Sequence, residues 1–275
     1  MKNLLTRIVS AFIYGLVLII SVLAGKVWFL LFFAMVSTFC LVEFYNLTES
    51  GDVKINRFWG FTLAGIMYLS ISLYLLGYVL QPKFFFFFLP FLYIIFVQEL
   101  YNRNKRPFHS IAYTILGIVY TLLPFLLFVS LAFMSADRHY DYRPCLGFLF
   151  LLWGADTGAF FSGKLLGRHL LMERISPKKT WEGLFGGLIT SMGVALILSK
   201  FFKGLSLMEW LGMATIIVTI GSLGDLVESM FKRELDKKDS GTIMPGHGGV
   251  LDRFDGLLIS APFVFLYLLL IQKSV

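Results

Sequence analysis

Long apolar stretches separated by short polar ones run the whole length of this 275-residue chain. Runs suited to spanning a membrane fall near residues 8–24, 27–45, 58–79, 84–97, 111–134, 146–162, 184–202, 208–226 and 256–271. Each is about as long as a bilayer's hydrocarbon core demands, the fourth and ninth being short. A backbone crossing lipid satisfies its own hydrogen bonds within a helix. The pattern therefore predicts an all-α, polytopic integral membrane protein of about nine transmembrane helices. Residues 1–45 read as a helical hairpin turning at Gly25-Lys26. The first run also fits a cleavable signal peptide, with Lys2 and Arg7 before it and Val22 and Ala24 at its end. Its long apolar stretch leads straight into a second span, which reads better as a retained anchor.

The polar connections set an orientation. Most of the 24 Lys and Arg residues lie at the N-terminus or in alternate connections: Lys54 and Arg57, then Arg103, Lys105 and Arg106, then Lys164 to Lys179, then Lys232 to Arg253. The excess of cations on the cytoplasmic side places these segments and the N-terminus inside and the C-terminus outside. That bias accounts for the basic balance, and no nucleic-acid partner is expected. Cys40 and Cys145 lie in or beside apolar runs and form neither a disulfide framework nor a metal motif, which leaves them to packing. No long linker or soluble domain interrupts the pattern. The expected organisation is one membrane domain over residues 1–275, with N-terminal spans in 1–145 and catalytic spans and cytoplasmic loops in 146–275.

Against this background one stretch stands apart. Only 15% of residues are charged, yet Ser222 to Asp255 holds Asp225, Glu228, Lys232, Arg233, Glu234, Asp236, Lys237, Lys238, Asp239, Asp252, Arg253 and Asp255. Charge gathered beside lipid is costly unless it lies in water or holds something charged. From Gly224 to about Leu235 the chain reads as a helix leaving the membrane, with Asp225, Glu228 or Ser229, and Lys232 on one face. Residues 240–249, SGTIMPGHGG, carry four Gly and one Pro, a turn whose backbone N–H groups can converge on an anion. Beyond it Asp252 and Asp255 face the same way if Val250 opens the next helix. Carboxylates flanking a Gly-rich turn, with Lys and Arg between, suit a Mg²⁺-bound nucleotide: oxygen ligands for the ion and cations for the remaining phosphate charge.

Two further places matter. In the sixth run, WGADTGAFFSGK sets Asp156 among apolar residues, where an acid is a functional candidate, and spaces Gly154, Gly158 and Ser162 for close helix approach. After it, Ser176 and Pro177 read as N-cap and first helical position, with Lys178 and Lys179 in the first turn, where an anion would relieve their conflict with the helix dipole. Elsewhere the plainer reading prevails. Glu43, near the end of the second run, reads as an interfacial acid facing the headgroups. The run Phe84 to Phe88 reads as a lipid-facing surface.

The segment Ser229 to Asp255 resembles the signature of the phosphatidate cytidylyltransferases, also called CDP-diacylglycerol synthases. It supplies Ser229, Phe231, Lys232, Arg233, Lys238, Asp239, Gly241, Pro245, His247, Gly248, Gly249, Asp252, Arg253 and Asp255. Met244 departs from the pattern, standing where Leu, Ile or Phe is expected; it is similar in volume and apolar, so little is put in doubt. Upstream, Asp156-Thr-Gly-Ala and Ser176-Pro-Lys-Lys-Thr-Trp-Glu-Gly are similar to the same family, extending the resemblance over about residues 150–260.

The resemblance implies transfer of the cytidylyl group of CTP to phosphatidate, giving CDP-diacylglycerol and pyrophosphate, in a protein that forms a homodimer in the bacterial inner membrane with its site facing the cytoplasm. On that reading Asp225 and Asp252 are metal ligands with Asp255 a third, and Mg²⁺ is the cofactor, with a second cation left open. Lys232, Arg233 and Lys238 face phosphate. Gly248 and Gly249 admit the triphosphate to the backbone, and His247 donates to it or caps the turn. Asp156, Ser176, Lys178, Lys179, Ser229, Asp239 and Arg253 complete the substrate-binding set. Two rivals remain: another CTP-dependent lipid phosphotransferase, such as a polyprenol kinase, and a transporter using Asp156, Asp225 and Asp252 as an ion path. A transporter needs no Gly-rich turn between carboxylates and a Lys-Arg cluster.

Overall fold

The structure, a computed structural model, describes residues 2–79, 81–135, 137–237, 239–241 and 248–272. It is almost wholly helical, in the order α1 (Lys2–Leu23), α2 (Lys26–Thr48), α3 (Arg57–Leu75), α4 (Leu89–Glu99), α5 (Pro107–Gly117), α6 (Leu123–Ser130), α7 (Arg143–Leu166), β1 (Leu170–Met172), β2 (Ser176–Thr180), α8 (Trp181–Phe201), α9 (Leu207–Glu234) and α10 (Asp255–Gln272). A π turn, Ile118–Leu122, joins α5 to α6 in one apolar rod. Among the described residues, six helices are long and apolar enough to cross a membrane: α2, α3, the α5–α6 rod, α7, α8 and α9. Three shorter apolar helices, Phe12–Leu23, Phe86–Glu99 and Asp255–Ile271, coincide with the remaining apolar runs. The protein is an all-α, multi-pass membrane protein, apart from one short hairpin. Between α1 and α2 the chain reverses at Gly25, whose φ of +97° suits a residue without Cβ.

The chain divides into two compact units, 1–140 with 239–251 and 141–238 with 252–275. The first has an aromatic core. Phe29, Phe33, Phe125 and Phe128 are fully buried, and the Phe33 and Phe128 rings lie 5.0 Å apart. Tyr45 and Tyr68, also buried, donate their hydroxyls to the carbonyls of Thr114 and Leu30 at 2.9 and 2.8 Å, so neither polar tip is left unpaired in the core. Cys40 is buried here and Cys145 in the second unit, both in packing positions.

The second unit is built on small residues. Gly158 of α7 lies so close to α8 that a Cβ there would stand 2.7 Å from the Gly186 carbonyl, and a Cβ on Gly187 would stand 2.8 Å from the Ala155 carbonyl. The four-residue spacing of Gly154, Gly158 and Ser162 thus finds its partners on α8, in Val194, in Thr190 and in Gly186. The same device joins α9 to α10: a Cβ on Gly224 would meet the Asp255 carbonyl at 2.8 Å, and one on Gly221 the Gly256 carbonyl at 3.4 Å. These contacts put residue 225 beside residue 255. At 28 residues, α9 extends about 42 Å, well beyond a hydrocarbon core of about 30 Å. Its last turns therefore carry their charges past the membrane.

Gly158→Ala should lower the melting temperature of the purified protein by roughly 2–10 °C, because the added methyl meets a carbonyl that cannot move aside. Gly193→Ala, on the same helix pair where a Cβ would meet nothing within 4 Å, should not lower it. Thermal unfolding in detergent checks both.

Candidate active site

Two of the expected local structures fold differently. Ser176 and Pro177 lie in β2, antiparallel to β1 with Met172 opposite Ser176, and do not begin a helix. A residue before proline is steered to extended backbone, which favours the strand. The N-cap of α8 is Thr180, whose Oγ1 accepts the Gly183 N–H at 3.1 Å. Lys178 and Lys179 accordingly sit on the hairpin, and the dipole conflict expected of them does not arise. Lys178 is exposed, while Lys179 turns inward. Likewise Val250 does not open the last helix. A 3₁₀ turn covers Leu251–Arg253 and α10 starts at Asp255, while the Val250 and Leu251 N–H groups are taken by Glu43.

In the second unit the signature's charges gather in two adjoining groups. In the first, the Lys179 ammonium pairs with the Asp225 carboxylate and also donates to the Ser222 carbonyl at 3.2 Å. Asp156 from α7 and Asp255 from α10 lie close enough to Asp225 for their charges to act on one another, with Lys179 and Arg253 as the nearby cations. Ser229, one turn after Asp225, points its hydroxyl at the Asp225 carboxylate at the 3.5 Å limit of a hydrogen bond. The Asp255 carboxylate accepts the N–H of Gly256 at 2.7 Å.

In the second group, Lys232 Nζ sits between two carboxylates, 2.9 Å from Glu228 Oε1 and 2.7 Å from Asp252 Oδ1. All three are largely buried, with side-chain exposures of 16% for Lys232, 1% for Glu228 and 8% for Asp252. Among the described residues, the other Glu228 oxygen, Oε2, is buried without a hydrogen-bond partner. Asp252 and Asp255 are thus engaged by different neighbours, Lys232 for one and the Asp225 group for the other. Arg233 is exposed in the last turn of α9, and Arg253 is exposed in the 3₁₀ turn. Lys238 and His247 lie outside the described residues.

In the first unit the described part of the Gly-rich segment is tied to α2. Glu43, 1% exposed, accepts the Ser240 hydroxyl at 3.0 Å, the Val250 N–H at 2.9 Å and the Leu251 N–H at 2.7 Å. It does not face lipid headgroups. Gly241 and Gly249 pack directly on its carboxylate, where a Cβ on either would stand 2.5 Å from a Glu43 oxygen. Gly248 has a φ of +81°, a conformation that disfavours any residue with a Cβ. Each of these three glycines therefore has a reason in the fold itself. Asp239 is exposed.

The donor chemistry of the second unit is of the kind a hard divalent cation takes: three carboxylates, Asp156, Asp225 and Asp255, and an orphaned oxygen on Glu228 beside Asp252 and Asp255. Among the described residues, however, no three His, Cys, Asp or Glu side chains stand ready to hold an ion. Lysines occupy that role, Lys179 on Asp225 and Lys232 on Asp252. The sequence reading takes Glu43 as interfacial and sets Glu228 on one face with Asp225 and Lys232 without making it a site residue; in both cases the available signal is an acid at the end of an apolar run.

The sequence model of the cytidylyltransferase family matches residues 5–271, nearly the whole chain. The chain belongs to that family. Among its curated relatives, the phosphatidate cytidylyltransferase of Staphylococcus haemolyticus is 42% identical over 182 residues, and that of Staphylococcus aureus is 39% identical over 183. Each match covers 66% of this chain, and 66% and 67% of the two relatives respectively. The shared segment is thus about two thirds of this cytidylyltransferase-family protein.

Lys232→Met should lower stability by about 3–5 kcal/mol, since it leaves two buried carboxylates facing each other without their cation. Adding Glu228→Gln removes one of those charges and should restore part of the loss. Denaturant unfolding of the single and double variants reads the difference; equal stability of Lys232→Met and wild type would contradict the assigned pairing.

Proposed function

We propose that the protein is a phosphatidate cytidylyltransferase. The observation that carries this reading is the gathering of Asp156, Asp225 and Asp255 about Lys179, beside Lys232 and Asp252, in a chain similar to relatives of that name. The phosphomonoester oxygen of phosphatidate attacks the α-phosphorus of CTP, and the bond from that phosphorus to the β-phosphate oxygen breaks, so that pyrophosphate leaves with the bonding pair. A phosphate dianion is already nucleophilic, so no side-chain base is required, and rate comes from alignment and charge neutralisation. Lys179, Lys232, Arg233, Lys238 and Arg253 neutralise phosphate oxygens. Asp225, Asp252 and Asp255 would hold Mg²⁺, which, when bound, supplies a concentrated positive charge to the triphosphate. Asp156 and Ser229 support Asp225, and Gly248, Gly249 and His247 serve the nucleotide. Ser176 and Asp239 have no direct part in this scheme; Lys178 assists by charge alone.

The same reading gives nine membrane crossings, the three shorter helices included, with the N-terminus and the site on the cytoplasmic side of a bacterial inner membrane, where CTP is found. The protein acts there as a homodimer.

Purified protein supplied with Mg²⁺, CTP and phosphatidate should release pyrophosphate and form CDP-diacylglycerol. Transfer of a γ-phosphate to a lipid hydroxyl, with CDP as product, would mark a lipid kinase in its place. Asp225→Asn and Asp252→Asn should each insert normally and lose nearly all turnover, and the double variant should be hardly worse than either, as for residues acting in one unit. Losses that multiply would mean two independent roles.

Orientation is checked separately. Single Cys substitutions at Lys178 and Lys237, in a background lacking Cys40 and Cys145, should react with an impermeant thiol reagent only from the cytoplasmic side. Labelling from outside would reverse the topology.

A further inference from the structure

Glu43 lies nearly 200 residues before the signature, and neither the resemblance nor the proposed chemistry gives it a role. Its surroundings are unusual for an acid in a span. It is buried, and its carboxylate is met by a hydroxyl and two backbone amides of one distant segment, Ser240, Val250 and Leu251. Both oxygens are used, Oε1 by Val250 and Oε2 by Leu251 and Ser240. Gly241 and Gly249 allow this approach, for any side chain on either would collide with the carboxylate. Bonds to a carboxylate are about twice as strong as neutral ones, and here they close both ends of the segment on a single point.

We infer that Glu43 is a positioning residue of the nucleotide site: it fixes the two ends of the signature's Gly-rich segment, and through Leu251 it holds the backbone that leads directly into Asp252. This rests on the proposed reading in which that segment serves CTP. Glu43 touches no reacting atom. It acts through the backbone groups it holds, and its loss falls on CTP affinity more than on the lipid substrate. The same contact holds the first amide of the 3₁₀ turn at Leu251–Arg253, so the turn that carries Asp252 is anchored at its start.

The test uses the full-length protein in detergent or nanodiscs. A Gln at position 43 keeps the volume, but its amide NH₂ must face at least one of the donors now bonded to the carboxylate. Glu43→Gln should speed hydrogen exchange of the Val250 and Leu251 amides by roughly tenfold or more, leaving α7 and α8 amides unchanged. It should also raise KM for CTP by about tenfold, with a smaller change in KM for phosphatidate. Ser240→Ala, which removes one donor and leaves both amides bonded, should move both readouts in the same direction and by less. If Glu43→Gln fails to accumulate as folded protein, Ser240→Ala decides alone. Unchanged exchange at Val250 and Leu251 would overturn the clamp. Faster exchange with an unaltered KM for CTP, or equal effects on both substrates, would overturn the positioning role. Absence of CTP turnover in the wild-type protein would instead bring down the functional reading beneath it, and the exchange measurement, which needs no turnover, keeps the two failures apart.

Discussion

A carboxylate removed from water has to be met by donors, and in this protein that requirement decides where the signature's backbone goes. Glu43 draws in two amides and a hydroxyl of the segment that leads into the turn before α10. Glu228 and Asp252 converge on one ammonium, which joins the end of α9 to the turn before α10. Asp225 takes the lysine at the end of β2, and with it the hairpin that precedes α8. None of these acids could be placed by hydrophobic burial alone, because apolar packing has no preference for where a charge finds its partner. Helix packing supplies the frame, and the acids choose the local geometry within it.

The frame itself depends on closeness. Gly158, Gly187, Gly221 and Gly224 let backbones of the second unit approach to carbonyl contact distance, which lipid-soluble side chains would prevent. Such contacts gain their energy from dispersion over short distances, since lipid offers no hydrophobic drive for one helix to prefer another. The consequence for chemistry is direct. Asp225 and Asp255 stand near each other because the residues just before and after them have no side chains to hold the helices apart.

Much of this was legible in the sequence, for identifiable reasons. Apolar length is a robust signal, and α2, α7 and α8 begin and end within a few residues of the runs that predict them. The spacing of Gly154, Gly158 and Ser162 was readable because close helix approach demands small residues at one helical interval. The clustering of charge between Ser222 and Asp255 was plain against an apolar background. What failed was local and directional. Ser-Pro is a common helix start, but it is equally at home in extended chain, and only the pairing of Ser176 with Met172 chooses between them. The partners of Asp252 and Asp255 depend on the turn at Leu251–Arg253, whose first amide is held by a residue some 200 positions away. Glu43 was underread because an acid at the end of an apolar run looks the same whether it meets headgroups or a distant amide.

That distance has a consequence for how the protein is made. The bonds from Glu43 to Ser240, Val250 and Leu251 bridge 197, 207 and 208 positions. At synthesis rates of about 5–20 residues per second, α2 is made roughly 10–40 s before its partners leave the ribosome. Throughout that interval a carboxylate destined for burial has only water, lipid headgroups or insertion machinery to satisfy it. The first unit is therefore completed last, by a segment translated after most of the second, and its final stitch is among the most sequence-remote contacts in the chain.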